Sequence, residues 1–204
     1  YSVENYLMSR RLMYWQVYLH KTATAGEEVL TATLRRAKEL AARDVELFAT
    51  PALRYFLYNR ADRRRFESDE QCLDRFAELD DSDILSALKV WRHHDDRVLA
   101  LLADAFVNRR LFKVEVLQEP PTAERLDELR TAIARRFGLT TDEAAYFVST
   151  RTVAKEMYST TADGIGMLYP DETIRDVASV SVIIDSEAAD RADHKLYLYY
   201  MRTD

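Results

Sequence analysis

The sequence predicts an α+β fold, with a mainly helical body over residues 1–108 followed by a small α/β portion over residues 109–204. Three observations carry that prediction. The 204 residues contain only four Gly and four Pro, too few breakers for an all-β chain of short strands and turns. Apolar residues recur at i, i+3, i+4 and i+7 along most of the first half, the period of a half-buried helix. After Arg109 the pattern changes to stretches of alternating or β-branched residues. The length suits one domain, and a hydrophobic fraction of 48% is ample for a core.

Taken in order, residues 3 to about 23 are expected to form one long helix, and 24–48 a second, rich in good helix formers in "LRRAKELAARDVELF". Thr50-Pro51 is a stop and restart, and "ALRYFLY" a short helix. "NRADRRR" at 59–65 reads as a charged, solvated connector. Ser68 followed by Gln71 is a capping-box pattern. Asp81 or Ser82 is expected to cap a helix running to about Trp91, and another helix spans roughly Asp95 to Asn108. "LFKVEVL" alternates as a strand does. Pro120-Pro121 marks a turn, and "TAERLDELRTAIARRFG" is an amphipathic helix ending at Gly138. "YFVSTR", "VASVSVII" and "KLYLYYM" are expected strands, with a charged segment between the last two that could form a short helix. "TTADGIGMLYPDE" reads as loop, and Gly164-Ile-Gly166 within it as a turn.

Composition also excludes function classes. Asp+Glu number 35 against Lys+Arg 29, a net charge of -6, which argues against a dominant nucleic-acid or membrane surface. No apolar run approaches the roughly 18 residues of a membrane span. The single cysteine, Cys72, is expected in the core, and its isolation fits a reducing, cytoplasmic compartment. There is no Walker loop, nucleophile elbow, zincin motif or Cys/His cluster. The chain starts at Tyr1 with helical patterning under way by Val3, so it is expected to be a piece of a longer protein.

The first helix holds the candidate chemistry. At about 100° per residue, Arg10, Tyr14, Tyr18 and Lys21 form one stripe. Met8, Leu12, Trp15 and Leu19 lie opposite, and Tyr6, Met13 and Val17 fill a third arc. A helix apolar on several sides is expected to be buried on several sides, which would leave Arg10 at least partly buried and in need of an anion. Two readings stay open. Arg10 could pair with a buried Asp or Glu, with the tyrosines as core. Alternatively it could meet a phosphate, to which Arg is well suited, with the tyrosine rings against a sugar or base.

"SRRLMYWQVYLHK" at 9–21 resembles the helix that follows the metal site in HD-domain phosphohydrolases of the deoxynucleoside-triphosphate triphosphohydrolase group, relatives of the mammalian SAM- and HD-domain protein. "LDDSDILSALKVW" at 79–91 resembles the bacterial branch, and "RRLFKVEV" at 109–116 the strand entry of the group. The resemblance implies an HD-type helical body and hydrolysis of a dNTP to deoxynucleoside and triphosphate. It implies that Arg10 contacts phosphate, Tyr18 the deoxyribose, and Lys21 the substrate. His20 and Lys21 would lie near a nucleotide-regulated interface. Tyr14 stands where the mammalian protein has a His that assists catalysis, which makes Arg10 and Tyr14 the catalytic candidates. Leu19 stands in place of a Gln. The group also implies a homo-oligomer and a divalent metal held by a His, a His-Asp pair and a distant Asp. That set is absent here. "HHDD" at 93–96 reads as a helix junction, and the ligands are expected upstream of Tyr1. The alternative function is a non-catalytic helical module for nucleotide binding or protein assembly.

Overall fold

A computed structural model describes residues 2–155, 164–181 and 193–203. The chain is α+β, a helical body joined to small sheets. The helices are α1 (Ser2–Met13), α2 (Lys21–Ala41), α3 (Pro51–Tyr58), α4 (Arg63–Ser68), α5 (Glu70–Glu78), α6 (Asp81–Trp91), α7 (Arg97–Val107), α8 (Ala123–Phe137), α9 (Thr141–Ala144) and α10 (Val177–Val180). Strands β1 (Lys113–Leu117), β2 (Val148–Lys155) and β5 (Asp193–Tyr200) form a sheet of order β1-β5-β2. Strands β3 (Gly166–Leu168) and β4 (Ile174–Asp176) pair antiparallel, with Met167 opposite Arg175.

Contacts divide the chain into two compact units. The larger comprises Ala25–Val114, Thr122–Ser149 and Tyr199–Asp204. Its core packs Leu40, Leu53, Leu57, Leu88, Trp91 and Leu99 from four helices, α2, α3, α6 and α7. Trp91 is 1% exposed, and its indole N–H donates to the Phe48 carbonyl at 2.9 Å, so the one polar atom of the buried ring is satisfied. The helices are capped by carboxylates and hydroxyls. Asp80 and Asp83 form a reciprocal capping box on α6, as Thr140 and Glu143 do on α9. Gly138 closes α8 at φ 62, a left-handed conformation that favours glycine.

The smaller unit comprises Tyr1–Thr24, Glu115–Pro121 and Thr150–Leu198. Its core is slight: Leu7, Val177 and Ala178 are buried, with Val3, Met8, Ile165 and Met167 packed against them.

Several expectations are corrected. The opening segment is not one helix to residue 23. It passes from α1 into a π-helical turn at Tyr14–Tyr18, breaks at Leu19-His20 and restarts as α2. Leu19 N–H donates to the Tyr14 carbonyl at 2.7 Å, the wide i to i+5 bond of a π turn. The run "YWQVY" is aromatic and β-branched, and such residues hold a regular helix poorly. His20 then caps α2, its Nδ1 accepting from Thr22 N–H at 3.2 Å, a role more often taken by Ser, Thr, Asp or Asn. Helix α2 ends at Ala41, not 48, where Asp44 turns left-handed at φ 60. The "NRADRRR" connector contains the start of α4. Ser68 closes α4 instead of capping α5, and Asp69 is the cap. The cap of α6 is Asp80, one residue before the expected pair. Of "VASVSVII", residues 177–180 are a helical turn capped by Asp176, and 182–184 lie outside the described residues, as does the charged segment that follows. The loop "TTADGIGMLYPDE" contains β3 in a tight hairpin. The helices α3, α7 and α8 and the strands at "LFKVEVL", "YFVSTR" and "KLYLYYM" stand as expected, and Cys72 is buried.

Candidate functional site

The candidate residues lie at the junction of α1, the π turn and α2. The spacing of four places Arg10 beneath Tyr14, and the guanidinium carbon lies 5.8 Å from the Tyr14 ring centroid, within cation–π range. The Tyr14 and Tyr18 rings follow at 5.3 Å between centroids, tilted 45°. The three side chains thus form a ladder along one edge of the segment. Both tyrosines lie within the wide turn, a feature frequent at functional sites. Lys21 opens α2 and is exposed, as is His20 beside it.

Burial differs from the expectation. Arg10 is exposed, and Tyr18 is 54% exposed. Of α1 only Glu4 and Leu7 are buried, while Tyr6, Leu12, Met13 and Val17 each expose 45–61% of their surface. The reading in which Arg10 pairs with a buried carboxylate among core tyrosines is therefore not what the chain does. Among the described residues Arg10 has no ion-pair partner. An exposed Arg stacked on a ring keeps its five N–H donors available for an incoming anion.

The "HHDD" segment is structural. His94 Nδ1 accepts from Asp96 N–H at 2.9 Å. Asp96 caps α7 through Leu99 N–H at 2.8 Å and takes a two-pronged contact from Arg36 at 3.1 and 2.5 Å. Burial pushes the Asp96 carboxyl up, but the bonds from Arg36 and Leu99 N–H outweigh it and hold the group below the ordinary carboxylate range. The same contact raises Arg36 above its usual value. The Arg36 guanidinium also lies 5.3 Å from the ring centroid of Tyr146, whose hydroxyl donates to Glu39. Sequence reasoning missed this buried polar cluster entirely. Asp96 lies 60 residues from Arg36, and nothing local marks the pair. Among the described residues no group of three or more His, Cys, Asp or Glu is arranged to hold a metal ion. Nor is any helix among them long and apolar enough to cross a membrane.

No family model matches the chain. It is 29% identical over 204 residues to an uncharacterized protein, YwfO, of Bacillus subtilis strain 168, covering 97% of this chain and 44% of that protein. Among solved structures, a phosphohydrolase from Bacteroides thetaiotaomicron shares 48% identity at a TM-score of 0.90, covering 99% of this chain and 50% of that one. A hypothetical protein from Aquifex aeolicus shares 20% identity at a TM-score of 0.52, with 98% and 42% covered, a likeness of fold alone. The chain spans half or less of the length of each of these proteins.

Proposed function

We propose that this chain is part of a hydrolase of phosphate esters, and that its substrate is a deoxynucleoside triphosphate cleaved to deoxynucleoside and triphosphate. The observation that carries this reading is the exposed Arg10–Tyr14–Tyr18 ladder, with a permanent cation that no carboxylate among the described residues neutralises. The resemblance of "SRRLMYWQVYLHK" to the phosphate- and sugar-contacting helix of HD-domain triphosphohydrolases supports it. So does the 48% identity to a structure described as a phosphohydrolase.

In this reading Arg10 meets the nonbridging phosphate oxygens with two parallel N–H bonds and stabilises the charge that builds there in the transition state. Tyr14, one ring away, presents a hydroxyl to the reacting phosphate. Tyr18 lies flat against the deoxyribose, and Lys21 adds a second cation for the triphosphate. Water attacks the α-phosphorus, the bond to the 5′ oxygen breaks, and triphosphate departs while that oxygen takes a proton. The described residues do not fit a metal. A divalent cation therefore enters the proposal only through ligands in sequence that the longer relatives carry and this chain does not match, and the chain's own share is contact with phosphate and sugar. His20 and Lys21 are proposed to border a regulatory or subunit interface, and the working protein is proposed to be a cytoplasmic homo-oligomer.

The test is a product assay on the full gene product. Incubation with dGTP and a divalent cation should give deoxyguanosine and tripolyphosphate in equal amounts, and EDTA should abolish both. Release of orthophosphate or pyrophosphate instead, or no release with any dNTP, contradicts the reading. The second outcome would favour a non-catalytic nucleotide-binding or assembly module, the function that the exposed apolar side chains of α1 would then serve.

A further inference from the structure

Helix α2 begins on an imidazole. The first N–H groups of a helix have no carbonyl of their own helix to meet and need acceptors from elsewhere. At α2 the first helical bond runs from Thr24 N–H to the His20 carbonyl at 3.1 Å, which makes His20 the residue that flanks the helix. Its ring Nδ1 accepts from Thr22 N–H at 3.2 Å, the bond that a capping side chain makes to the second residue of its helix. The Thr24 hydroxyl donates to the Lys21 carbonyl at 3.1 Å and ties the same turn. The side-chain caps of α4 to α10 are aspartate or threonine, which keep their acceptor oxygens at neutral and mildly acid pH. An imidazole does not. Its Nδ1 accepts only in the neutral ring, and an ordinary imidazole takes up a proton around pH 6.5.

Protonation has two effects of the same sign. It turns the acceptor into a donor, so Thr22 N–H loses its partner, and it sets a cation at the positive end of the helix dipole. Lys21, the next residue, already places one there. The π turn that leads into His20 offers only the Tyr14 and Tyr18 hydroxyls as ionisable groups, and among the described residues no charged side chain pairs with the His20 ring. The ring is exposed, so protons reach it freely. The capped turn therefore holds above the imidazole range and loosens below it. That turn carries Lys21 and follows directly on Tyr18, the residues assigned to triphosphate and sugar. We propose that His20 is a positioning residue: its neutral ring fixes the first turn of α2, and with it Lys21, and protonation releases both. The consequence for substrate rests on the triphosphohydrolase reading; the cap itself does not.

Hydrogen–deuterium exchange of the full gene product, followed in a peptide over residues 19–24, tests the cap without substrate. Wild type, His20→Asn and His20→Ala are compared at about pH 8 and about pH 5.5, on either side of the imidazole range. Asparagine is a strong cap and does not titrate. At the higher pH, wild type and His20→Asn should be equally protected and His20→Ala at least about threefold less. At the lower pH, wild type should fall to the His20→Ala level while His20→Asn stays protected. Steady-state kinetics with dGTP give the functional arm. The KM of wild type divided by that of His20→Asn cancels protonation of the nucleotide, and should rise at least about threefold between the higher and the lower pH, with kcat changing less. Equal protection of wild type and His20→Ala at the higher pH overturns the cap, and wild-type protection that matches His20→Asn at the lower pH overturns the switch. A KM ratio that ignores pH, with the exchange result intact, overturns the positioning role. Absence of any dNTP turnover would instead remove the triphosphohydrolase reading, and exchange would still decide the switch.

Discussion

Helices α1 and α6 are nearly equal in length, 12 and 11 residues, and both carry a strong apolar component. Yet they are used in opposite ways. Helix α6 is locked by a capping box and buries Ala87, Leu88 and Trp91 in the larger unit's core. Helix α1 buries only Glu4 and Leu7. Across α1 and the π turn that continues it, Tyr6, Leu12, Met13, Val17 and Tyr18 are 45–61% exposed. Periodicity reveals that a helix has an apolar face, but what covers that face depends on everything else that folds against it. The larger unit buries one face of α2, α3, α6 and α7 in a shared core, and the exposed Leu73, Phe76, Leu85 and Val90 of α5 and α6 lie outside that core. The segment from Ser2 to Lys21 presents its side chains outward, as a surface for binding does.

If that contrast is correct, mutations in the two regions should differ in kind. The largest effect belongs to Trp91→Ala, which empties a fully buried site and orphans the Phe48 carbonyl. It should cost roughly 3–5 kcal/mol in urea or thermal unfolding. Arg36→Ala comes next, at about 3 kcal/mol, because it leaves the half-buried Asp96 carboxylate without its counter-ion. This pair also predicts a pH dependence. The Asp96 carboxyl is depressed in the folded chain, so its contribution is present above the unfolded value of about 4 and is lost as pH falls through the lower folded value. The stability gap between wild type and Asp96→Asn should be full at neutral pH and close progressively below about pH 4. Stability that was equally sensitive to Asp96→Asn at acid and neutral pH would refute the ion pair. Gly138→Ala should cost roughly 1–2 kcal/mol, since a side chain there must adopt the left-handed conformation. Smallest of all, Met13→Ser with Val17→Ser should move unfolding by no more than about 0.5 kcal/mol each. The same pair should weaken self-association in sedimentation. A wild-type protein that is monomeric at micromolar concentration would remove the proposed homo-oligomer.

The sequence revealed most of the helical body, because Thr50-Pro51, the acidic caps and Gly138 are local signals with local causes. Its errors fall where the cause is not local. One-residue slips at Asp69 and Asp80 arose because several acceptors stand in a row and only backbone geometry selects among them. The π turn was illegible, since "YWQVY" has ordinary helical periodicity and only hydrogen bonding distinguishes an i+5 from an i+4 closure. "VASVSVII" suggested a strand by composition, and the Asp176 side chain capping Ala178 N–H made its first four residues a helical turn instead. For the candidate site, the Arg10–Tyr14–Tyr18 spacing was legible and the exposure was not. Apolar neighbours suggest burial, and Tyr6, Leu12, Met13 and Val17 among those neighbours are themselves exposed.

The account depends most on Arg10 being a binding group held on an exposed surface rather than a structural cation. Steady-state kinetics of Arg10→Ala in the full gene product, paired with its thermal midpoint, measure that directly. The account predicts a fall in kcat/KM equivalent to roughly 2–4 kcal/mol of lost transition-state stabilisation, with a midpoint unchanged from wild type. Near wild-type turnover of the dNTP, or a loss of activity that tracks a loss of folding, would contradict it.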